Sequence, residues 1–196
     1  MKGINIFLAD GFEDIEALAV NDVLKRGGLR PTLVSISDDP FVASSHGVTV
    51  GIEAFLSDLL DEGHGGTDSD DFMIFPGGMP GSSNLASCKP LIDAMNAHYA
   101  AGGSLAAICA APGLVLGQLD DVRGLEFTCF DGFQESLLAR GASFVNAPAV
   151  RSGRVITGRS AGHAWSFALE VLSALTDAQT VDKVRRGLFL DTAPRG

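Results

Sequence analysis

Residues 104–113, SLAAICAAPG, predict a buried strand, a sharp turn that carries Cys109, and a helix that begins near Ala111. A short apolar run bounded by turn residues is typical of a buried strand. A thiol in such a turn, a nucleophile elbow, would lie above the edge of a sheet and beside the positive end of a helix dipole. Both conditions favour the thiolate over the thiol. We therefore expect Cys109 to be reactive.

The rest of the chain alternates strand and helix patterns. Strands are predicted at 3–9, 32–37, 48–52, 72–75 and twice within 149–157, and helices at 12–28, 87–101, 133–140 and 163–175. This alternation favours an α/β fold with a mostly parallel central sheet covered by helices on both faces. The polar segment 61–71 is predicted to be a surface loop and the tail after Leu190 to be frayed. No linker or repeat is visible, so we expect one domain over residues 1–196.

Composition restricts the classes of partner. The 24 acidic residues outnumber 14 lysines and arginines, which argues against nucleic acid and anionic membranes. No apolar run approaches the roughly 18 residues of a membrane span, and the start of the chain does not resemble a signal peptide. Cys88, Cys109 and Cys129 form no CxxC pair, and no two histidines are spaced i, i+4, so neither a metal nor a disulfide scaffold is expected. We predict a cytoplasmic protein without a cofactor.

One acidic residue of the first helix has an unusual position. On a helical wheel, Phe12, Ile15, Ala19, Val20 and Val23 define the apolar face, and Glu16 falls inside that arc. A carboxylate aimed at a core is costly unless it is protonated or paired. One interpretation is a rim glutamate whose stem reaches outward or whose carboxylate bonds a backbone amide. The other is a carboxyl with a raised pKa that exchanges a proton with a neighbour.

The predicted sheet brings several of these features together. Glu16, Gly77-Gly78 and Cys109 each follow a predicted strand, so all lie at the carboxyl end of a parallel sheet, where sites form. Glycines at 77 and 78 allow close backbone approach, and the amides of Gly78 and Ala110 could form an oxyanion hole. The alternative is that Pro-Gly-Gly is simply a tight turn.

Three ordered motifs carry a resemblance to a known family. They are ADGFEDIE at 9–16, FPGGMPGSSNL at 75–85 and AAICAAP at 106–112, and VITGRSAG at 155–162 adds to them. Together they resemble the ThiJ/PfpI superfamily, and its deglycase-like group most closely, over nearly the whole chain. The resemblance implies a flavodoxin-like three-layer sandwich and a homodimer. It places the family's reactive cysteine at Cys109, its protonated glutamate at Glu16, and its amide donors at Gly78 and Ala110.

The sequence also departs from that family. Ala110 stands where protease-like relatives have a histidine directly after the cysteine. Phe130 stands where the deglycase-like group has a histidine beside the cysteine, and His46 replaces an arginine on a dimer-side loop. His46 and His163 remain possible accessory residues, whereas His64 and His98 are predicted to lie at the surface. The missing bases weaken amide hydrolysis more than carbonyl addition, which needs no protonated amine leaving group.

These observations favour one function and leave two alternatives open. The first is a cysteine-dependent enzyme for small reactive carbonyls, of the glyoxalase or deglycase kind that the resemblance implies, which converts a 2-oxoaldehyde to a 2-hydroxy acid. The second is an oxidative-stress sensor or chaperone without turnover, in which Cys109 is oxidised to a sulfinic acid. The third is an amidase or peptidase-like hydrolase. We interpret Cys129 as buried packing.

Overall fold

The protein is described by a computed structural model that covers residues 1–61 and 67–191. Residues 62–66 of the predicted surface loop, with His64, and residues 192–196 of the predicted frayed tail lie outside the described residues. The strands are β1 (Ile4–Leu8), β2 (Pro31–Ser35), β3 (Phe41–Ala43), β4 (Thr49–Gly51), β5 (Ala54–Phe55), β6 (Phe72–Phe75), β7 (Ser104–Ile108), β8 (Glu126–Phe127), β9 (Ser143–Phe144), β10 (Ala149–Ser152) and β11 (Val155–Gly158). The α-helices are α1 (Asp14–Arg26), α2 (Leu56–Asp61), α3 (Gly81–Ser87), α4 (Lys89–Ala100), α5 (Ala111–Leu114), α6 (Glu135–Leu138), α7 (Ala164–Leu175) and α8 (Ala178–Gly187).

The centre of the fold is a seven-stranded sheet in the order β10-β11-β7-β6-β1-β2-β5. Every neighbouring pair in it is parallel except β10 with β11, which is antiparallel. The chain runs from β1 through β2 to β5 on one side and then crosses to β6 on the other side of β1. The mostly parallel sheet predicted from the sequence is therefore confirmed, and the strand order changes direction between β1 and β6.

Two apolar layers bury the two faces of the sheet. The four residues of β6 are all buried and alternate between the layers: Phe72 and Ile74 pack against α1 and α7, whereas Met73 and Phe75 pack on the side of α3 and α4. This alternation follows from the two-residue period of a strand. It explains why a fully apolar run is required here and confirms the predicted three-layer sandwich.

Several predicted elements differ in the structure. The first helix begins at Asp14, and Ile15 is 51% exposed, so its assignment to the apolar face is wrong. Ile15 lies in the first turn, beyond the layer that covers the sheet. The predicted edge strand at 48–52 corresponds to β4, which pairs with β3 outside the central sheet, and the helix at 133–140 shortens to the single turn of α6. The sequence interpretation missed α8, although Asp177 caps it by accepting a hydrogen bond from Thr180 N–H.

A helix needs both length and apolar character to cross a membrane. Across residues 1–61 and 67–191, none of the helices combines these two properties.

Candidate active site

The predicted site residues meet at the carboxyl ends of three adjacent strands. Glu16 follows β1, Gly77 and Gly78 follow β6, and Cys109 follows β7, and these strands are neighbours in the order β7-β6-β1. The strand order reverses between β1 and β6, because the connection after β1 leads to β2 on one side and the connection after β6 leads to β7 on the other. Open α/β sheets form ligand sites at such a point, where the diverging loops leave a crevice.

Cys109 occupies a strained turn, as the elbow prediction requires. Its φ is +65°, a left-handed conformation that is uncommon for residues other than glycine. Two hydrogen bonds hold the backbone there: Cys109 N–H donates to Gly158 O at 3.0 Å, and Phe130 N–H donates to Cys109 O at 2.8 Å. The turn is therefore fixed from β11 on one side and from the segment after β8 on the other, and Cys109 is half-buried there.

Glu16 is completely buried, and its carboxylate is fixed by the backbone of the neighbouring loop. Gly77 N–H donates to Glu16 Oε2 at 2.7 Å. The side chain of Glu13 caps α1 by accepting from Glu16 N–H at 2.8 Å, which fixes the start of the helix. Glu16 Oε1 is buried and has no hydrogen-bond partner of normal geometry among the described residues. The interpretation of Glu16 as a rim residue whose stem reaches outward is therefore wrong. The carboxyl bonds a backbone amide, as the other form of that interpretation had it, and is also buried beside the thiol.

Glycine is required at positions 77 and 78 because other atoms of the site lie too close to leave room for a Cβ. A Cβ on Gly77 would collide with Glu16 Oε2 and would lie 2.5 Å from Cys109 Cβ. Gly78 has a φ of +92°, and a Cβ there would collide with the backbone at the start of α1. The backbone amides of Gly78 and Ala110 both interact with the Cys109 sulfur. The turn is therefore tight and also directs an amide at the thiol.

Burial controls the protonation of the pair. It raises the pKa of the Glu16 carboxyl from 4.5 to about 7, against the opposing hydrogen bond from Gly77. Burial, followed by the neighbouring Glu16 charge, raises the pKa of the Cys109 thiol to about 12, although the Ala110 and Gly78 amides oppose this. The expectation that the turn favours the thiolate is therefore wrong for the free protein. The helix after the elbow, α5, is a single turn, so its dipole is too weak to overcome desolvation.

A pocket of about 410 Å³ opens above the pair. Glu13, Glu16, Gly78, Cys109 and Ala110 line it together with Met79, Phe130, Phe133 and the stretch 160–162. The sequence interpretation missed the contribution of Phe133 and of residues 160–162. A signal was available for residues 160–162, because they follow a strand predicted from the sequence, as Gly77 and Cys109 do. Concave, mostly apolar pockets with a few convergent polar groups are typical of small-molecule sites.

The accessory histidines lie outside this pocket. His46 bonds Asp14 Oδ2 through Nδ1 at 2.6 Å on the hairpin of β3 and β4. His163 Nδ1 lies 3.1 Å from Ser160 Oγ, and His163 is not among the described residues that line the pocket. His46 also forms, with Glu13 and Asp14, a group whose ligand atoms lie close enough to hold a metal ion. This grouping arises across a helix and a hairpin, so spacing in the sequence could not reveal it.

Two further predictions concern buried groups. The prediction that His98 lies at the surface is wrong: it is 2% exposed, and its Nε2 lies 3.1 Å from both Asp71 O and Ser104 O. Its Nδ1 lies 3.0 Å from the Met1 amino group. Cys129 is fully buried in the core, as predicted.

Comparison with known proteins finds relatives along nearly the whole chain. The model of the DJ-1/PfpI family matches residues 2–174. Protein DJ-1 homolog A from Arabidopsis thaliana is 32% identical over 193 residues, which is 98% of this chain and 48% of that protein. The glutathione-independent glyoxalase DJR-1.2 from Caenorhabditis elegans is 29% identical over 178 residues, which is 91% of this chain and 90% of that protein.

A solved structure is also similar. The crystal structure of Drosophila melanogaster DJ-1beta matches with a TM-score of 0.85 and 27% identity, and covers 96% of this chain and 97% of that one. This chain spans about half the length of the Arabidopsis relatives, at 48% and 42%.

Proposed function

Because this chain belongs to the DJ-1/PfpI family, we propose that it is a cysteine-dependent enzyme that converts small 2-oxoaldehydes to 2-hydroxy acids. The observation that carries the proposal is the buried pair of Glu16 and Cys109 at the floor of an open pocket, with amides from Gly78 and Ala110 directed at the sulfur. A relative named as a glyoxalase supports it.

The first step forms a bond between sulfur and carbon. The Cys109 sulfur attacks the aldehyde carbon while Glu16 accepts the thiol proton, so the raised pKa of the thiol is offset by a base in contact with it. The carbonyl oxygen takes the negative charge, and the Gly78 and Ala110 amides stabilise it. Return of the proton to that oxygen gives a hemithioacetal. A carboxyl whose pKa is about 7 is suited to this exchange near neutral pH.

The second stage is an internal redox reaction that needs no outside oxidant. Glu16 removes the proton from the former aldehyde carbon while the ketone oxygen takes up a proton, which gives an enediol. A proton then returns to the former ketone carbon, and the hydroxyl on the first carbon loses its own proton to become the thioester carbonyl. The first carbon is thereby oxidised to a thioester and the second is reduced to an alcohol. Water then cleaves the carbon–sulfur bond, releases the 2-hydroxy acid and restores the thiol. Each step uses only the substrate, water and the residues of the pocket.

Turnover of methylglyoxal tests the proposal. Wild type and Cys88→Ala, whose thiol lies between α3 and α4, should form lactate, whereas Cys109→Ala and Glu16→Gln should not. The rate should fall as pH decreases through about 7, because the pair must lose one proton to react. Turnover that survives in Cys109→Ala, or is absent in wild type, would refute the proposal.

Oxidation sensing at Cys109 is the second candidate function. The Glu16 carboxyl and the amides of Gly78 and Ala110 interact with the Cys109 sulfur, and hydrogen bonds from these groups would stabilise the oxygens of a sulfinic acid. Peroxide titration followed by intact mass separates the candidates: a two-oxygen adduct on Cys109 in a protein without methylglyoxal turnover favours sensing. Amide hydrolysis is less favoured, since no histidine is among the described residues lining the pocket.

Assembly and location form part of the same proposal. Large apolar side chains are exposed on α1 and on the β3–β4 hairpin: Ile15, Phe41 and Val48. The helix and the hairpin are linked by the hydrogen bond that Ser44 Oγ donates to Asp14 Oδ1. This surface supports a homodimer, and sedimentation of wild type against Ile15→Glu tests it. The unpaired cysteines support a cytoplasmic location, which microscopy of a tagged chain tests.

A further inference from the structure

The pocket above Cys109 has an aromatic wall that the proposed chemistry does not use. The rings of Phe130 and Phe133 are 6.4 Å apart in an edge-to-face arrangement. Phe130 is 47% exposed and Met79 is 50% exposed, and both line the pocket. Large apolar side chains exposed around a concave site gain from being covered. A flat apolar substituent of a ligand would cover them.

The same pocket offers no positive charge to a ligand. Glu13 and Glu16 are the charged side chains among the described residues that line it. The nearby Arg159 is engaged elsewhere: it donates to Cys129 O at 3.1 Å and pairs with Asp131 at 2.7 Å. An anionic substituent would therefore meet two carboxyl groups and an apolar wall, and its desolvation would remain uncompensated.

We propose that this pocket selects neutral 2-oxoaldehydes that carry an aryl substituent and rejects anionic ones, with Phe130 as the specificity-determining residue. The inference rests on the proposed function and names its substrate class. The aldehyde lies over Cys109, and the aryl ring packs against Phe130 and Met79. The hydroxy-acid product is an anion in a site without a cation, so the same feature that selects the substrate promotes release of the product.

Two matched pairs of substrates test this selection. Phenylglyoxal should exceed methylglyoxal in kcat/KM by roughly tenfold, the range of a modest gain in apolar and ring contact. For the second pair, kcat/KM for the neutral 2-oxopentanal should be about tenfold or more above that for 4,5-dioxopentanoate, in which a carboxylate replaces the terminal methyl. In Phe130→Ala the aryl preference should fall toward parity, whereas Phe189→Ala, beyond the end of α8 and not among the described residues that line the pocket, should keep it. Equal rates within each pair, or an aryl preference unchanged in Phe130→Ala, would overturn the proposal.

A second measurement separates this inference from the proposed function, because it needs no turnover. The rate of Cys109 alkylation is measured by peptide mass spectrometry. Two rate ratios are taken, that of phenacyl chloride to chloroacetone and that of iodoacetamide to iodoacetate. Each ratio is divided by the ratio for free cysteine. Ratios that favour the aryl and the neutral reagent, with the aryl preference lost in Phe130→Ala, support the selection even if wild type converts no 2-oxoaldehyde. Ratios equal to those of free cysteine refute it even if methylglyoxal is turned over.

Discussion

Replacing Glu16 with glutamine should stabilise the protein at neutral pH while it removes the proposed chemistry. In the folded chain burial raises the pKa of this carboxyl from 4.5 to about 7. As pH rises between these values, the unfolded chain releases the proton and the folded chain retains it. Stability therefore falls over this window by about 1.36 kcal/mol per pH unit, or about 3 kcal/mol in all. Glutamine has nearly the same shape, carries no proton to release, and can still accept the hydrogen bond from Gly77.

The assay is urea denaturation of wild type and Glu16→Gln at about pH 5 and about pH 8. Between these two pH values the free energy of unfolding of the variant should rise by about 2.5 kcal/mol relative to that of wild type. This is less than the full effect because part of it lies below about pH 5. The exposed residue Glu135, on α6, provides the matched control: Glu135→Gln removes a glutamate charge without removing a buried one. A difference for Glu16→Gln that is the same at both pH values would refute the argument.

Three further predictions follow from the buried groups and the tight turn. Burial lowers the pKa of His98 from 6.5 to about 4, so the free energy of unfolding of wild type should fall by about 3 kcal/mol as pH falls through that window. His98→Gln should remove this loss, as urea denaturation would show. Gly77→Ala should lower the free energy of unfolding by more than about 1 kcal/mol and abolish turnover, because its Cβ collides with the buried carboxylate, whereas Gly51→Ala, where nothing lies within 4 Å, should not. His46→Ala should change kcat/KM for methylglyoxal by less than about twofold, since its ring bonds an aspartate outside the pocket; a tenfold loss would contradict this placement.

The pH dependences of stability that arise from Glu16 and His98 have opposite signs and partly cancel in the wild type. Glu16 costs stability as pH rises above 4.5, and His98 costs stability as pH falls below 6.5. In the wild type the two slopes oppose each other over most of the range between these values. A nearly flat profile of stability against pH therefore does not contradict either prediction, and only the single variants separate them.

Local patterns predicted the fold well because the sheet requires long apolar runs. β6 and β7 are buried on both faces, so their strand assignments follow directly from composition. The phase of α1 placed Glu16 inward correctly but failed for Ile15, since the first turn of a helix can extend beyond the layer it covers. The helical phase could not show that His98 would be buried, because its partners Asp71 and Ser104 come from other elements.

The site was harder to predict than the fold. The prediction that Glu16, Gly77 and Cys109 each follow a strand of a parallel sheet correctly brought them to one sheet end. The protonation of the thiol was predicted wrongly because it depends on desolvation, which no local pattern measures. Similarly, the aromatic wall required knowledge that Phe130 and Phe133 face the same cavity.

The distances along the chain between the site residues have a consequence for refolding. Glu16, Gly77 and Cys109 are far apart in sequence and meet only when β1, β6 and β7 are aligned side by side. Each contact closes a long loop, and such non-local contacts form late and slowly. The paired thiol and carboxyl therefore cannot exist in a partly assembled sheet. Because burial raises the pKa of the Cys109 thiol in the folded chain, its reactivity toward a thiol reagent should fall when the site assembles after dilution from denaturant. This fall would report completed topology, and it should lag behind the recovery of helical circular dichroism.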